Sequence, residues 1–261
     1  MRSLFLVIVC MLGLVACTAD SAVDTPEGSG ADPACPTEGE ELETAKLYIE
    51  HNATDADTGV HGLFGGEAWS ELCIWDPAGN LIFVIDPRSQ LGDLTVADLF
   101  FESREPPNDE YSMDDLFTDF PEGTYLAGGT DFEGTPRVGT ASFTHAIPAE
   151  PVIVSPALGG EEDPASTPIA GLVVSWEPVT ETILGDPVII SGYEVIVTKV
   201  EHEDPDGLSR PIYDVHLDSE ARSLEVPETF LELGTLYELE VLALEQSGNQ
   251  TIGLGFFVTS G

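Results

Sequence analysis

Apolar and polar residues alternate with a period of two in many segments after residue 40, a pattern typical of β-strands that bury one face. In the first part of the chain an Asp-Pro-Ala-Gly-Asn turn separates two apolar arms, which predicts a β-hairpin. The strands predicted for this part contain Leu47 and Ile49, the hairpin arms 72–75 and 81–85, and the segments 123–127 and 137–144.

Two segments between those strands favour short helices. Residues 93–102 carry a cluster of apolar side chains, and the apolar side chains of residues 112–120 share one helical face. The second segment begins with Ser112 and has Asp115 three residues later, which is close to a capping box. We expect residues 41–148 to form a β-rich, sandwich-like domain with short helical insertions, of a family that its residues do not identify.

The remaining residues, 149–261, alternate in the same way, with turn residues between the strands, which predicts a second β-sandwich. Three segments resemble, in the right order, the second strand, the third strand and the loop with the sixth strand of a fibronectin type III domain: Val174–Pro178, Ile190–Val195 and Leu233–Ala243. The resemblance implies that Trp176 lies in the core and that Tyr237 forms a tyrosine corner, so we expect both to be structural.

The predicted fold class is therefore all-β, with a fibronectin type III-like sandwich preceded by the β-rich domain. Two segments depart from the fibronectin type III pattern. Residues 159–171 lengthen the first connection, and the acidic residues 201–210 read as a hairpin tip.

The first sixteen residues have the pattern of an export signal rather than of a folded domain. Leu4–Ala16 is apolar apart from Gly13, too short for the roughly 20 residues that span a bilayer but typical of a secretory signal. The run ends in Leu-Val-Ala-Cys, which resembles the bacterial lipoprotein box. That resemblance implies that Cys17 is acylated and becomes the first residue of the mature chain; an ordinary signal peptide with a chance cysteine is the alternative.

Thr18, rather than Asp, follows the cysteine, which in lipoproteins of the enterobacterial type resembles an outer-membrane destination. Residues 17–40 are acidic and rich in Pro and Gly, and they predict a disordered tether. The expected organisation is a lipoprotein signal peptide (1–16), the tether (17–40), the β-rich domain (41–148) and the fibronectin type III-like domain (149–261).

Charge changes this picture by excluding one class of partner. The chain has 48 Asp and Glu against 8 Lys and Arg, a net charge of -40, so it lacks the basic surface that binding to nucleic acid requires. The acidic residues are spread evenly along the chain, which favours a surface adapted to salt or kept soluble over one dedicated cation-binding domain.

The four cysteines agree with export. Cys10 leaves with the signal and Cys17 carries the lipid, so Cys35 and Cys73 remain as a pair in an oxidising compartment. We predict a disulfide between them; two free thiols are the alternative.

Candidate chemistry is sparse. No Gly-x-Ser-x-Gly, phosphate-binding loop or His-Glu-x-x-His occurs, and a catalytic carboxylate pair cannot be singled out among 48 acids. A three-histidine metal site of His51, His61 and His145 is conceivable, although their spacing is not that of a ligand set.

Calcium is the second metal ion that the sequence raises. Asn52, Asp55 and Asp57 alternate as oxygen ligands do in a calcium loop, and residues 204–207 form a second acidic turn. Asx turns explain both segments without an ion.

We expect a non-catalytic, lipid-anchored cell-envelope protein, exported to the outer membrane of a Gram-negative bacterium, that presents a binding, adhesion or structural surface to an envelope protein or polysaccharide. The alternative is a polysaccharide-binding or hydrolase-accessory lipoprotein. In that case Trp69, Trp75 and Tyr48 line an aromatic cleft, unless they belong to the core.

Overall fold

A computed structural model describes residues 35–201 and 211–261. These residues are mostly in strands, which confirms the all-β class. Their strands are β1 (Glu40–Glu41), β2 (Thr44–Asn52), β3 (Asp57–Trp75), β4 (Leu81–Ile85), β5 (Val96–Glu102), β6 (Gly123–Asp131), β7 (Pro136–Phe143), β8 (Ile153–Ser155), β9 (Ala165–Pro168), β10 (Val173–Trp176), β11 (Ile190–Lys199), β12 (Ile212–Asp218), β13 (Ser223–Glu225), β14 (Leu236–Glu245) and β15 (Gln250–Ser260). Their helices are α1 (Ser89–Leu94) and α2 (Met113–Asp119).

The long strand β3 organises the first part of the chain. Its first half pairs antiparallel with β2 and β5, and its second half pairs with β4 and β6. The pairing of β3 with β5 is interrupted between Gly65 and Trp69. Within this interval Gly66 has a φ of +135°, and an added Cβ would lie 2.6 Å from the Cβ of Glu43. A side chain at this position would therefore be strained and would clash. The two halves of β3 surround a core that includes Ile49, Phe64 and Trp69.

The helix predicted for residues 112–120 is confirmed. Ser112 caps α2: its Oγ accepts a hydrogen bond from the backbone N–H of Asp115 at 3.2 Å, and the Asp115 carboxylate reaches back to Ser112. Leu116 anchors the helix in the core of the first part.

The helix predicted for residues 93–102 is wrong. Residues 96–102 form β5, and only the short helix α1 precedes it. Leu99 and Phe101 pack on the core while Asp98 and Phe100 are exposed, a period of two. A short apolar run does not distinguish helix from strand, and pairing with β3 supplies the backbone hydrogen bonds that decide between them.

The second part of the chain is a sandwich of two sheets. One sheet has the strand order β13-β10-β8, and the order β12-β11-β14-β15 forms the other. This is the three-plus-four arrangement of a fibronectin type III domain. Trp176 and Tyr237 are buried between the sheets, as predicted. The Tyr237 hydroxyl accepts a hydrogen bond from the backbone N–H of Glu232 at 2.9 Å and donates to the carbonyl of Phe230 at 3.4 Å, which is the tyrosine corner.

The lengthened connection contains an additional strand. Residues 165–168 form β9, which pairs in parallel with the end of β15 and so runs along the four-stranded sheet. Most of the predicted acidic hairpin tip, residues 202–210, lies outside the described residues. The strands β11 and β12 that flank it pair antiparallel.

One sheet runs through both parts of the chain. β15 pairs in parallel with β2, with Gln250 beside Glu50 and Ile252 beside Asn52, which makes a sheet of 12 strands. The buried apolar residues nevertheless form two clusters, one drawn from residues 42–147 and the other from residues 172–257. The division into separate domains at residue 148 stays a prediction.

Candidate functional site

The strands of the continuous sheet have one face on the two cores and one face away from them. On β14, Leu239 and Val241 are buried in the second core, so Glu240 and Leu242 point to the other face. On β2, Leu47 and Ile49 enter the first core, and the alternate side chains share the face of Glu240 because β2 and β15 are paired.

This second face holds a cavity of about 700 Å³, which we call the acidic groove. Five of its lining residues are glutamates: Glu50, Glu102, Glu194, Glu240 and Glu245. Its other charged, titratable or aromatic side chains are Lys46, Tyr48, His61, Phe100 and His216. Among the described residues that line it, Lys46 is the only lysine or arginine, so the carboxylates outnumber the fixed cations.

The crowding of carboxylates changes their acidity. Burial raises the pKa of Glu240 to about 8, and the nearby charges of Glu238 and Glu50 add to the shift. Burial also raises the pKa of Glu194 to about 7, together with its hydrogen bond to Asp214. The pKa of Glu50 is raised by burial, which outweighs the opposing effect of His61. These groups are therefore harder to ionise than free glutamates, because burial and the neighbouring carboxylates disfavour their charged forms.

His61 is the most enclosed ionisable group of the groove. Its side chain is 4% exposed, its Nε2 lies 3.0 Å from Glu105 Oε1, and its Nδ1 lies 3.8 Å from Glu50 Oε2. The rings of Tyr48 and Phe100 flank it, with centroids at 5.5 and 5.9 Å. Burial alone lowers the pKa of His61, but the hydrogen bond to Glu105 and the charge of Glu50 outweigh it, so the pKa is raised. The donor atoms of Glu50, His61 and Glu105 all lie within 4.8 Å of one another.

A second cluster lies on β11 and β12. The donor atoms of Glu194, Asp214 and His216 also lie within 4.8 Å of one another, and His216 Nε2 is 3.2 Å from Glu194 Oε1. The side chain of His216 is 69% exposed, so solvent screens this cluster more than that of His61.

The three histidines considered as a conceivable metal site, His51, His61 and His145, do not come together. Of these three, only His61 lies in the groove. His51 points into the first part, where its Nδ1 lies 3.0 Å from Thr58 Oγ1. His145 stacks on Phe117 at a centroid distance of 4.1 Å, and its Nε2 binds the carbonyl of Phe120. His51 pairs with Thr58 across β2 and β3, and Thr58 and His61 are three residues apart on β3. Side chains an odd number of residues apart on a strand point to opposite faces, so His51 and His61 lie on opposite faces of the sheet.

The calcium candidates lie at the hairpin between β2 and β3. Asn52 Oδ1 accepts hydrogen bonds from the backbone N–H groups of Thr54 and Asp55, both at 3.1 Å, and Asn52 Nδ2 donates to Asp55 Oδ2 at 3.0 Å. These bonds make an Asx turn. Calcium binding by Asn52, Asp55 and Asp57 stays a prediction, and the turn at 204–207 lies outside the described residues.

Three aromatic residues were candidates for a cleft unless they belong to the core: Trp69, Trp75 and Tyr48. Of these, only Tyr48 lines the acidic groove. Trp69 is fully buried in the first core, because its strand is covered on that face by the rest of the first part. Tyr48 lines the acidic groove, on the opposite face of β2 from the core. A ligand of the groove can therefore contact Tyr48 but not Trp69.

Cys35 and Cys73 are joined by a disulfide, as predicted, with a Cα–Cα distance of 6.0 Å. The bond attaches the segment before β1 to the middle of the first part, and both cysteines are buried. The predicted lipidation site, Cys17, lies outside the described residues. No helix among the described residues has the length and apolar content needed to cross a membrane.

Sequence reasoning missed the acidic groove. The usable signal was the pair Glu238 and Glu240, which alternate with core residues on a strand of strong apolar pattern. Glu238 and Glu240 flank the buried Leu239, which indicates that the outer face of β14 is acidic. The pattern does not indicate which other strands contribute to this acidic face.

Comparison with known proteins places the chain in no family. No protein-family model and no curated protein matches it. Among solved structures, a two-domain fibronectin type III segment of chicken tenascin has a TM-score of 0.29 and 11% identity, and covers 82% of this chain and 99% of its own. The FN1–FN3 domains of chicken CNTN1 have a TM-score of 0.31 and 12% identity, covering 86% of this chain and 69% of their own. A 1.5-MDa bacterial ice-binding adhesin has a TM-score of 0.26 and 14% identity, covering 83% of this chain and 64% of its own. The strand order of this chain defines its fold.

Proposed function

We infer that the protein is a non-catalytic, lipid-anchored envelope protein that binds a positively charged ligand in its acidic groove. The observation that carries this proposal is the set of half-buried carboxylates in the groove, which outnumber its single lysine and whose pKa values are raised by burial and by one another's charges. A bound cation stabilises the ionised carboxylates and reduces the repulsion between them.

The construction of the groove suits binding. It is assembled on strands of one sheet, so its walls are held by backbone hydrogen bonds along β2, β15, β14 and β11. Apolar side chains such as Ile196 and Leu242 lie between the carboxylates. A ligand that joins positive charges to an apolar stem, such as a lysine-rich protein segment, matches both features.

The test is calorimetric titration with a lysine heptapeptide at about pH 8.5, where lysine is still charged and the groove carboxylates are largely ionised. Glu194→Gln with Glu240→Gln should weaken binding strongly. The control pair Glu177→Gln and Glu181→Gln makes the same change of net charge at exposed positions outside the groove and should leave binding nearly unchanged. Equal losses of affinity in the two double variants would show that peptide binding depends only on net charge, and would refute binding in the groove.

The lipid anchor is part of the proposal and has its own test. The resemblance of residues 14–17 to a lipoprotein box supports acylation of Cys17. The wild-type chain should partition into detergent and carry the mass of added acyl chains, whereas Cys17→Ser should stay in the aqueous phase. A mature chain whose first thiol carries no hydrocarbon contradicts the anchor, and with it the outer-membrane location.

One specific observation supports the polysaccharide-binding alternative. Phe100 is exposed and lies in the groove with Tyr48 and several carboxylates. The aromatic rings suit stacking against the apolar face of a sugar ring, and the carboxylates can accept hydrogen bonds from its hydroxyls. Because Trp69 is core, the informative variant is Phe100→Ala. A glycan-array signal that disappears in this variant favours the polysaccharide over the cationic ligand.

A further inference from the structure

His61 is almost fully buried beside two carboxylates from other segments of the chain. Its Nε2 lies 3.0 Å from Glu105 Oε1, and Glu50 Oε2 lies 3.8 Å from its Nδ1, which is beyond hydrogen-bond distance. The imidazole and the two carboxylates offer one nitrogen and several oxygen donors in a space of less than 5 Å. This combination of donors is common to sites for zinc and related divalent ions.

The fold brings these three donors together from separate elements. Glu50 and His61 come from the paired strands β2 and β3, and Glu105 follows β5. The segment after β5 is held against β3 by two hydrogen bonds between Ser103 and Val60, in which the backbone N–H of Ser103 donates to the Val60 carbonyl and that of Val60 donates to Ser103 Oγ.

Gly59 leaves the room that Glu105 occupies. A Cβ at this position would lie 2.7 Å from Glu105 Cγ and 2.9 Å from Ser103 Oγ. Any other residue would therefore displace the Glu105 side chain, and a strand interior otherwise disfavours glycine. The close approach of Glu105 to His61 thus depends on a residue without a side chain.

We propose that Glu50, His61 and Glu105 bind a divalent transition-metal ion, with zinc as the representative, at one end of the acidic groove. Three protein ligands leave one position of a tetrahedral ion open. Because Glu50 and His61 line the groove, that position is available to a ligand bound there. The proposal does not depend on the lipid anchor or on binding of a cationic peptide.

The burial of the donors favours this cluster over the one at His216. The side chains of Glu50 and Glu105 are 15% and 24% exposed, so all three donors are held in place before the ion arrives. His216 and Asp214 are exposed and must lose more freedom on binding. His216→Ala is therefore a matched control: it removes the same residue type from the same groove.

The experiment is calorimetric titration of the full chain with zinc chloride, with magnesium chloride as a second metal that prefers oxygen-only sites. We expect one zinc ion per chain and no comparable heat with magnesium. His61→Ala and Glu105→Gln should each weaken zinc binding by about tenfold or more, since even residues that only support metal ligands contribute that much. His216→Ala should retain the wild-type affinity.

Glu105→Gln keeps the result interpretable if His61→Ala does not fold, since Glu105 is only partly buried and glutamine preserves its shape. Gly59→Ala provides a further test, because it displaces Glu105 without removing any donor, and it should also weaken binding. With cobalt in place of zinc, the visible absorption of the bound ion should change in the same variants. The site is refuted if zinc does not bind, if Glu105→Gln leaves the affinity unchanged, or if the loss occurs in His216→Ala instead.

Discussion

Replacement of Asn249 by alanine should weaken the junction at which the two parts of the chain share one sheet. Asn249 is 1% exposed. Its Oδ1 accepts a hydrogen bond from the backbone N–H of Ile49 at 2.8 Å, and its Nδ2 donates to the carbonyl of Thr144 at 2.9 Å and to Thr144 Oγ1 at 3.1 Å. One side chain thus ties the turn before β15 to β2 and to the end of β7.

Alanine at this position removes all three hydrogen bonds and leaves the N–H of Ile49 and the carbonyl of Thr144 without their partners. A buried polar group without a partner costs roughly 1–3 kcal/mol, so two such groups should lower the free energy of unfolding by about 3 kcal/mol. The loss is concentrated at the β2–β15 pair, which is only three residues long.

Urea unfolding followed by tryptophan fluorescence measures this difference. The matched control is Asn80→Ala, which removes the same atoms from an exposed turn where the side chain binds only Asp76. We expect less than about 1 kcal/mol for the control, because exposed hydrogen bonds contribute little net stability. Equal losses in the two variants, or a loss below about 0.5 kcal/mol for Asn249→Ala, would refute the reasoning on the junction.

Three further predictions concern stability. In the folded state the pKa values of Glu194 and Glu240 are about 7 and 8, above their ordinary 4.5. Between pH 4.5 and 8 the folded chain therefore binds more protons than the unfolded chain. The free energy of unfolding should consequently fall as pH rises from about 5 to 8. Thermal melts should show this slope reduced in Glu240→Gln; an unchanged slope contradicts the assignment to Glu240. Opening the disulfide by Cys35→Ser should cost about 3–4 kcal/mol in the chain-entropy account of a loop closed over 38 residues, with reduced wild-type protein as the control; a loss under 1 kcal/mol is the contrary result. Added sodium chloride should raise the melting temperature, because it screens repulsion in a chain of net charge -40; a chain equally stable without salt speaks against a salt-adapted surface.

Local signals predicted much of the fold. The alternation around Leu239 and Val241 predicted β14 because strand side chains alternate between faces, and the Ser112–Asp115 pair predicted the start of α2 because a capped N-terminus needs that chemistry. The Asp76 turn is another local feature: its carboxylate accepts hydrogen bonds from the backbone N–H groups of Ala78 and Asn80.

The groove could not be predicted because it depends on long-range pairing. Glu50 and Gln250 are neighbours across β2 and β15 but lie 200 residues apart in the chain. No periodicity within either strand specifies that partner, so neither the shared acidic face nor the junction at Asn249 was visible. The error at residues 93–102 has the same cause, since β5 is a strand through its pairing with β3.

The central claim is that the acidic groove is a binding site, and methyl NMR tests it most directly. Titration with the lysine heptapeptide should shift the methyl signals of Leu63, Ile196 and Leu242, which line the groove, while those of the exposed Val152 and Val154 stay in place. Shifts spread evenly over both sets, or confined to the valines, would contradict the account.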